Sequence, residues 1–374
     1  MQQHTENLSS HLNKFLGKKL SEIPAGDIKI IVEEIHNYLA AVTEGKSDDE
    51  VKNILIHATF SKLNANILHI IAKYGDEILL EEILKFIGAE AIEAKDINLF
   101  TPLHYAAFNG RVELVKMLLV YGVDKNPKSA ATTRGWTPTH FAARNGYLEV
   151  VRTLLNAGVD KEFKAPFGLT ILHIAAESGH TDLVKFLLDE KANKESKTDA
   201  ENHKMTPLHY ATLDNRHEVI SILLAHGADK NAKTLVGMDP LQIAASAGYR
   251  DVAALLLKFG CSSLEEALEI AKKNNREEVV KEIAKYQLEI KNLFKNLEYF
   301  SSNLISAIKQ FNRDNLCEEK LVLNDATSLN AHGILSVECE VGVLNKEKKS
   351  LLQISEKKKM MDLADALKAL ARLY

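Results

Sequence analysis

The chain has 374 residues, a formal net charge of -4 at pH 7 and a sequence pI of about 6.4, a balance that does not favour nucleic acid or an anionic membrane as the main partner. No apolar run approaches the roughly 18 residues that a membrane-spanning helix needs. The three cysteines, Cys261, Cys317 and Cys339, are widely spaced, which argues against a disulfide framework or a zinc site and favours a reducing compartment.

The first segment, residues 1–62, is predicted to form a helical N-terminal cap. Met1 to Leu20 is polar and lacks the apolar core of a secretory signal, so we expect a cytoplasmic protein. From Asp27 to Val42 the apolar residues recur at helical spacing and form one stripe. A cap of this kind is needed because the terminal unit of a repeat array cannot leave its apolar face in water.

One local pattern recurs from residue 63 to residue 286. Its five clear copies are Thr101-Pro102-Leu103-His104, Thr137-Pro138-Thr139-His140, Thr170-Ile171-Leu172-His173, Thr206-Pro207-Leu208-His209 and Asp239-Pro240-Leu241-Gln242, at steps of 36, 33, 36 and 33 residues. A weaker copy begins at Asn66, and its Gly75 aligns with the glycines of the later copies. Each copy continues with a pair of small residues, a Gly or Asn and a second apolar helix. A fixed period of this size indicates stacked pairs of helices.

The pattern Thr-Pro-Leu-His-x-Ala, followed by Gly and then by Leu-Leu-x-x-Gly-x-Asp, resembles the ankyrin repeat. The resemblance implies an all-α solenoid of about six repeats and a terminal half-repeat, each unit being a hairpin finger followed by two antiparallel helices. It also implies that the fingers and first helices line a concave face that binds protein. The recurring histidines are expected to bond the neighbouring Thr or a finger backbone, because their spacing makes a ladder and not a metal-binding cluster.

The resemblance places the partner contacts at the finger tips and on the exposed side of each first helix. Carried over residue by residue, the predicted partner-binding positions are Phe100, Phe108, Asn109, Arg134, Trp136, Arg144, Asn145, Phe167, Glu177, His203, Met205, Leu213, Asp214 and Met238. Aromatic residues, Met and Arg often anchor protein interfaces. Five residues just before the Thr position either meet the partner or pack finger on finger: Phe100, Trp136, Leu169, Met205 and Met238. With Trp136 near the centre, we expect Trp136→Ala to weaken binding with little loss of thermal stability.

Two fingers, 126–136 and 192–205, are three residues longer than the shortest unit requires. Their extra residues either extend the binding surface or are surface insertions of little consequence, because long insertions in loops cost little free energy.

The C-terminal extension, residues 287–374, begins after a half-repeat that lacks a finger. Apolar residues spaced by three and four from Ile283 to Phe311 predict one long helix from about Arg276 to Asn312. That helix either packs on the rest of the chain or forms a coiled-coil dimer, so a monomer and a homodimer are both open. Beyond it lie a strand-like alternation at 335–343 and an amphipathic helix from Met360 to Leu373, which either docks on the long helix, folds back into the groove or recruits a partner.

The function that these patterns favour is non-catalytic recognition of a partner protein, without cofactor or metal. The chain has no GxGxxG, GxxxxGK[ST] or GxSxG motif, and a catalytic C-terminal region is disfavoured because that region has one histidine, His332. The alternative is a structural protein that self-associates through the 283–311 helix. A Lys-, Ile- and Asn-rich composition together with the repeats is similar to host-directed proteins of intracellular bacteria, which act in the host cytoplasm. An ordinary eukaryotic cytosolic protein is the other interpretation.

Overall fold

The structure is a computed structural model that describes residues 24–47, 50–51, 54, 65–75, 77–86 and 92–292. Across these ranges it consists of helices joined by turns and fingers, with one isolated β-bridge between Ala165 and Leu169. The predicted all-α class is confirmed. The predicted helical segment from residue 293 to Asn312, the strand-like stretch 335–343 and the predicted helix Met360 to Leu373 lie outside the described residues.

After the N-terminal helix and a helical stretch of which residues 50, 51 and 54 are described, the helices follow one another in pairs. In chain order they are α1 Ala25–Thr43, α2 Ile67–Tyr74, α3 Glu77–Phe86, α4 Pro102–Phe108, α5 Val112–Val120, α6 Pro138–Asn145, α7 Leu148–Asn156, α8 Ile171–Ser178, α9 Thr181–Asp189, α10 Pro207–Leu213, α11 His217–Ala225, α12 Pro240–Ala247, α13 Arg250–Lys258, α14 Leu264–Lys273 and α15, described over 277–292. None of the helices in the described ranges combines the length and the hydropathy of a membrane span.

The repeats are numbered here from the start of each first helix. Repeat 1 begins at Asn66, and repeats 2 to 6 begin at Thr101, Thr137, Thr170, Thr206 and Asp239. The turn before each first helix is called its finger. Fingers 2 to 6 are residues 95–100, 128–136, 164–169, 197–205 and 233–238. The extra residues of fingers 3 and 5 form single 3-10 turns at Ala131–Thr133 and Ala200–Asn202.

Each first helix starts in the same way because its first residues satisfy one another. In repeat 2, Thr101 has an extended backbone, Pro102 occupies the first helical turn and the N–H of Thr101 donates to Nδ1 of His104 at 3.1 Å. The histidine thus replaces the Glu of a capping box. Since Nδ1 accepts a hydrogen bond, the ring proton is on Nε2, which lies 3.2 Å from the carbonyl oxygen of Trp136 in the next finger.

The predicted structural role of the histidines is therefore confirmed, and repeats 1, 4 and 5 repeat it. The Nε2 atoms of His69, His173 and His209 lie 2.8, 3.2 and 3.0 Å from carbonyl oxygens of Phe100, Met205 and Ala232. Repeat 6 achieves the same start with Asp239 and Gln242, which exchange two hydrogen bonds of 3.0 and 2.9 Å.

Most first helices end at a residue in the left-handed region, as the sequence predicts. Gly146 has φ +75°, and a Cβ at this position would lie 2.5 Å from His180 Nδ1 in the next repeat. Asn215 takes the same conformation at φ +54° in repeat 5. Gly75 is different, since its φ of -77° is ordinary for any residue, so repeat 1 ends its first helix without the left-handed turn.

Packing joins like helices of neighbouring repeats. First helices α2, α4, α6, α8, α10 and α12 contact one another in order, and second helices such as α5 and α7, or α9 and α11, do the same. The second helices bury the stripe that the sequence predicts: Leu114, Val115 and Leu118; Val150, Val151 and Leu154; Leu183, Val184 and Leu187; Val219, Ile220 and Leu223. Each such side chain contributes about 1.5–3 kcal/mol on burial, so this stripe is a main source of stability.

Neighbouring fingers are tied by main-chain hydrogen bonds at equivalent positions. The N–H of Ala130 donates to the Asn98 carbonyl at 2.7 Å, and the N–H of Asp199 donates to the Phe167 carbonyl at 2.9 Å. The N–H of Leu235 likewise donates to the carbonyl of His203 at 2.7 Å.

The junction between repeats 3 and 4 departs from this pattern twice. The donor position in finger 4 is Pro166, which has no N–H to give. In repeat 3 the Nε2 atom of His140 is buried and has no hydrogen-bond partner, and burial lowers the pKa of this ring. Two bonds that recur between the neighbouring fingers are therefore missing at this junction, whose first helices are instead linked by the Arg144–Glu177 ion pair and by His180 Nε2, 3.0 Å from the Arg144 carbonyl oxygen.

The chain divides into two compact units, Met1–Val252 and Ala253–Tyr374. In the second unit the described residues comprise the end of α13, then α14 and the described part of α15. Their buried residues include Ala267, Ala271, Val279 and Ile283. The helix from 277 onwards agrees with the predicted start near Arg276.

Candidate functional site

An aromatic cluster joins repeats 2 and 3 around Phe141. The Phe141 ring centroid lies 5.1 Å from that of Phe100, 5.4 Å from that of Trp136 and 5.9 Å from that of Phe108, all edge to face. Phe100 also stacks on His104 with ring centroids 5.1 Å apart. Edge-to-face pairs are favourable beyond the area that they bury. The cluster therefore fastens finger 2 and finger 3 to the helices below them.

Trp136 is only 4% exposed within this cluster. The Arg134 guanidinium lies over its ring, 5.1 Å from the centroid, and covers it further. The sequence-based expectation for Trp136 needs correction, because a side chain this buried holds the fold together and presents little surface to a partner. Trp136 packs on Phe141 of α6, and Leu169 is similarly buried, so these two of the five residues before the Thr position contribute to the core.

The two predicted asparagines serve the scaffold. Asn109 is buried, and its side-chain amide donates to the Tyr105 carbonyl at 2.7 Å. The amide of Asn145 donates to the Phe108 carbonyl at 2.8 Å and so links α6 to α4. Asn109 is buried and Asn145 half-buried, and the amide nitrogen of each is held by a scaffold carbonyl.

One predicted set lies at the same position in four successive first helices. It is called here the groove surface and consists of Phe108, Arg144, Glu177 and Leu213. The side chains of Arg144 and Glu177 form an ion pair at 3.0 Å between repeats 3 and 4, and Leu213 is 40% exposed. An ion pair at a surface contributes about 0–1 kcal/mol to stability. Arg144 can therefore leave Glu177 and pair with a carboxylate of a partner at little cost in free energy.

Of the other predicted residues, Asp214 is exposed and lies 3.8 Å from the Arg216 guanidinium. His203 is exposed at the tip of finger 5, and Met205 and Met238 are half-buried at the ends of fingers 5 and 6. The predicted residues thus lie in the fingers, at the groove-surface position, or, for Asn109, Asn145 and Asp214, one residue after that position.

The finger tips hold exposed apolar side chains, some of which sequence reasoning missed. Phe167, which was predicted, is 47% exposed at φ +68°, and Leu99, which was not, is 45% exposed at φ +58°. Ile97, Leu235 and Val236 are also exposed. The sequence does indicate the left-handed backbone of Leu99, because the matching position is glycine in fingers 3, 4 and 6.

The histidine ladder is electrically neutral at physiological pH. Burial lowers the pKa of His104, His140, His173 and His209 to about 4, and burial lowers the pKa of His69 as well. These rings are engaged in the scaffold. Over the ranges that the structure describes, no group of three or more His, Cys, Asp or Glu side chains could hold a metal ion.

Comparison with known proteins gives one family. The family model described as Ankyrin repeats (3 copies) matches residues 38–129, 68–165 and 139–234, which together cover more than half of the chain.

Individual relatives match over short stretches. An ankyrin repeat protein of Fowlpox virus (strain NVSL) is 45% identical over 51 residues, 14% of this chain and 8% of the viral protein. Transient receptor potential cation channel subfamily A member 1 of Drosophila melanogaster is 40% identical over 73 residues, 19% of this chain and 6% of that protein. Protein phosphatase 1 regulatory subunit 27 of Homo sapiens is 38% identical over 56 residues, 15% of this chain and 36% of that protein. This chain therefore spans about a third or less of these curated relatives.

Proposed function

Because this chain belongs to the ankyrin-repeat family, whose repeats indicate a protein–protein interaction module, we propose that it binds a partner protein through the groove surface and the adjoining fingers. Function in such a fold resides in the residues that vary between repeats, since the repeated ones build the scaffold.

The observation that carries the proposal is the contrast between two classes of position. The repeated Thr, His and small residues are buried, as Thr101, His104 and Ala107 illustrate, and the Thr and His side chains are bonded to each other. At the groove-surface position the chain instead carries Phe108, Arg144, Glu177 and Leu213, partly or well exposed and different in every repeat. Scaffold packing does not require an exposed Leu or a varied charge at these positions, whereas recognition of a partner does.

The test compares three variants for partner capture and stability. Leu213→Arg and Arg144→Glu are expected to weaken binding about 30-fold each, the loss that follows from about 2 kcal/mol at an interface anchor. Val120→Arg is the matched control, because Val120 is 84% exposed at the end of a second helix, away from the groove surface. Affinity capture identifies the partner, and titration calorimetry then gives its Kd for each variant.

All three variants are expected to unfold within about 2 °C of the parent chain, since surface substitutions cost little. If Val120→Arg loses the partner as strongly as Leu213→Arg, or if both groove-surface variants retain it fully, the groove surface is not the binding site.

A further inference from the structure

Two bulky apolar residues at the finger tips combine backbone strain with exposure. Leu99 at φ +58° and Phe167 at φ +68° occupy the left-handed region that side chains other than Gly, Asn and Asp rarely adopt. Burial does not compensate for this strain, because each side chain is nearly half exposed. Strained residues that the fold does not need are often found at binding sites.

Exposed side chains at the finger tips alternate in chemistry along the stack and occupy one of two adjacent positions, two residues before the capping residue in fingers 2 and 5 and three residues before it in fingers 3, 4 and 6. Short fingers 2, 4 and 6 present apolar tips, at Leu99, Phe167 and Val236. Long fingers 3 and 5 present basic tips, at Arg134 and Lys204. Both side chains are exposed, and both residues have a left-handed backbone. We call these tips the finger-tip row.

The two basic tips differ in their surroundings. Finger 5 also carries the exposed acids Asp199 and Glu201, which offset Lys204. Finger 3 has no acidic residue, and within the part of the chain that the structure describes Arg134 forms no ion pair, its guanidinium lying over the Trp136 ring. The uncompensated positive charge of the row therefore lies at Arg134, between the apolar tips Leu99 and Phe167.

The spacing of the row suits an extended chain. Packed helices lie about 8–10 Å apart, so successive finger tips are separated by about that distance. An extended segment in the polyproline II conformation advances about 3.1 Å per residue with three residues per turn, so every third side chain faces the same way and about three residues span one finger. A carboxylate over Arg134 would then be flanked, three residues before and three residues after, by the side chains over Leu99 and Phe167.

We propose that the finger-tip row of fingers 2 to 4 binds an extended acidic segment of the partner protein, in which one Asp or Glu contacts Arg134 and apolar side chains three residues to either side contact Leu99 and Phe167. The proposal rests on the proposed function and specifies the chemistry of the partner. Arginine suits the central position because its planar fork can hold a carboxylate in a bidentate pair.

The probe is a synthetic peptide with blocked ends, a central Asp, Leu at the third position on either side and Ser elsewhere. Trp136 is the chain's only tryptophan, and Arg134 lies over its ring, so tryptophan emission reports a carboxylate that engages Arg134. Titration calorimetry gives an independent Kd. We expect saturable binding that weakens at least about 10-fold when the peptide Asp is replaced by Asn, or in Arg134→Gln.

Asparagine variants of the apolar tips separate recognition from structure. Leu99→Asn and Phe167→Asn are expected to weaken peptide binding at least about 10-fold, yet to leave Tm unchanged or raise it, because Asn tolerates the left-handed backbone. Val120→Asn, an exposed apolar residue on a second helix, is the control and is expected to leave binding unchanged.

Absence of saturable binding to the parent chain overturns the proposal, as does binding that survives Arg134→Gln or Phe167→Asn. A fall in Tm in the two Asn variants would show that the apolar tips serve the fold. If the natural partner depends on Leu213 but not on Leu99 or Phe167, the groove-surface function stands and the finger-tip proposal fails.

Discussion

Lowering the pH from 7 to 4 is expected to unfold the repeats, because the buried histidines must then accept protons. The pKa of His104, His140, His173 and His209 is about 4 in the fold, against about 6.5 in an unfolded chain. Between these values the unfolded chain binds more protons, so the free energy of unfolding decreases as the pH falls from 6.5 towards 4 and is unaffected above that window. Each histidine lowers the free energy of unfolding by up to about 3 kcal/mol. The four together lower it by an amount comparable to the whole stability of a typical domain, about 5–15 kcal/mol.

Circular dichroism at 222 nm against pH, with urea unfolding at each pH, measures this effect. The chain itself provides the control, since repeat 6 caps its first helix with Asp239 and Gln242 and has no histidine there. Transferring that pair into repeat 5, as Thr206→Asp with His209→Gln, is expected to reduce the pH slope by about one proton. Stability that stays constant between pH 6.5 and 4 would show that the histidine rings are not held neutral by the fold.

Replacing Trp136 by Ala is expected to destabilise the protein by about 3–5 kcal/mol, with a fall in Tm of roughly 10 °C. The indole fills the space against Phe141 at 5.4 Å and is 4% exposed, so its removal leaves a cavity at the junction of finger 3 and α6. Thermal unfolding followed by circular dichroism measures the loss without any partner.

The control for this substitution is Val120→Ala, which removes an exposed side chain and should change stability by no more than about 0.5 kcal/mol. A Tm within 2 °C of the parent for Trp136→Ala would mean that the cluster tolerates the cavity. If the large loss is found, weaker partner binding by this variant reports on folding, and Arg134 becomes the residue to substitute in binding experiments.

The repeated positions could be predicted from the sequence because their roles are local. A Thr, a Pro and a His within four residues make the same helix start wherever they occur, and the small residues after them let neighbouring helices approach. The protein interaction fold follows from that repetition. The same reasoning extends to Lys191, which replaces a glycine and adopts φ +60° as the pattern requires.

The exceptions could not be predicted because they depend on pairs of residues in different repeats. Trp136 packs edge to face on Phe141, at a position where repeats 2 and 5 have Tyr105 and Tyr210 and repeats 4 and 6 have Ile174 and Ile243. The absence of a main-chain hydrogen bond at Pro166 is recognised only when it is known which residue of each finger donates to the neighbouring finger. Exposure of Leu99 likewise depends on where the neighbouring finger lies.

The junction between repeats 3 and 4 has a mechanical consequence. Repeats that contact only their neighbours behave like springs in series, so a load on the stack deforms the most compliant junction most. Between its fingers, the junction that lacks the Pro166 donor and leaves His140 unbonded has fewer hydrogen bonds than the other junctions from finger 2 to finger 6, so we expect it to yield first. It separates Arg134 from Phe167, so a bound segment is expected to change the distance between these two tips more readily than the spacing of the other tips.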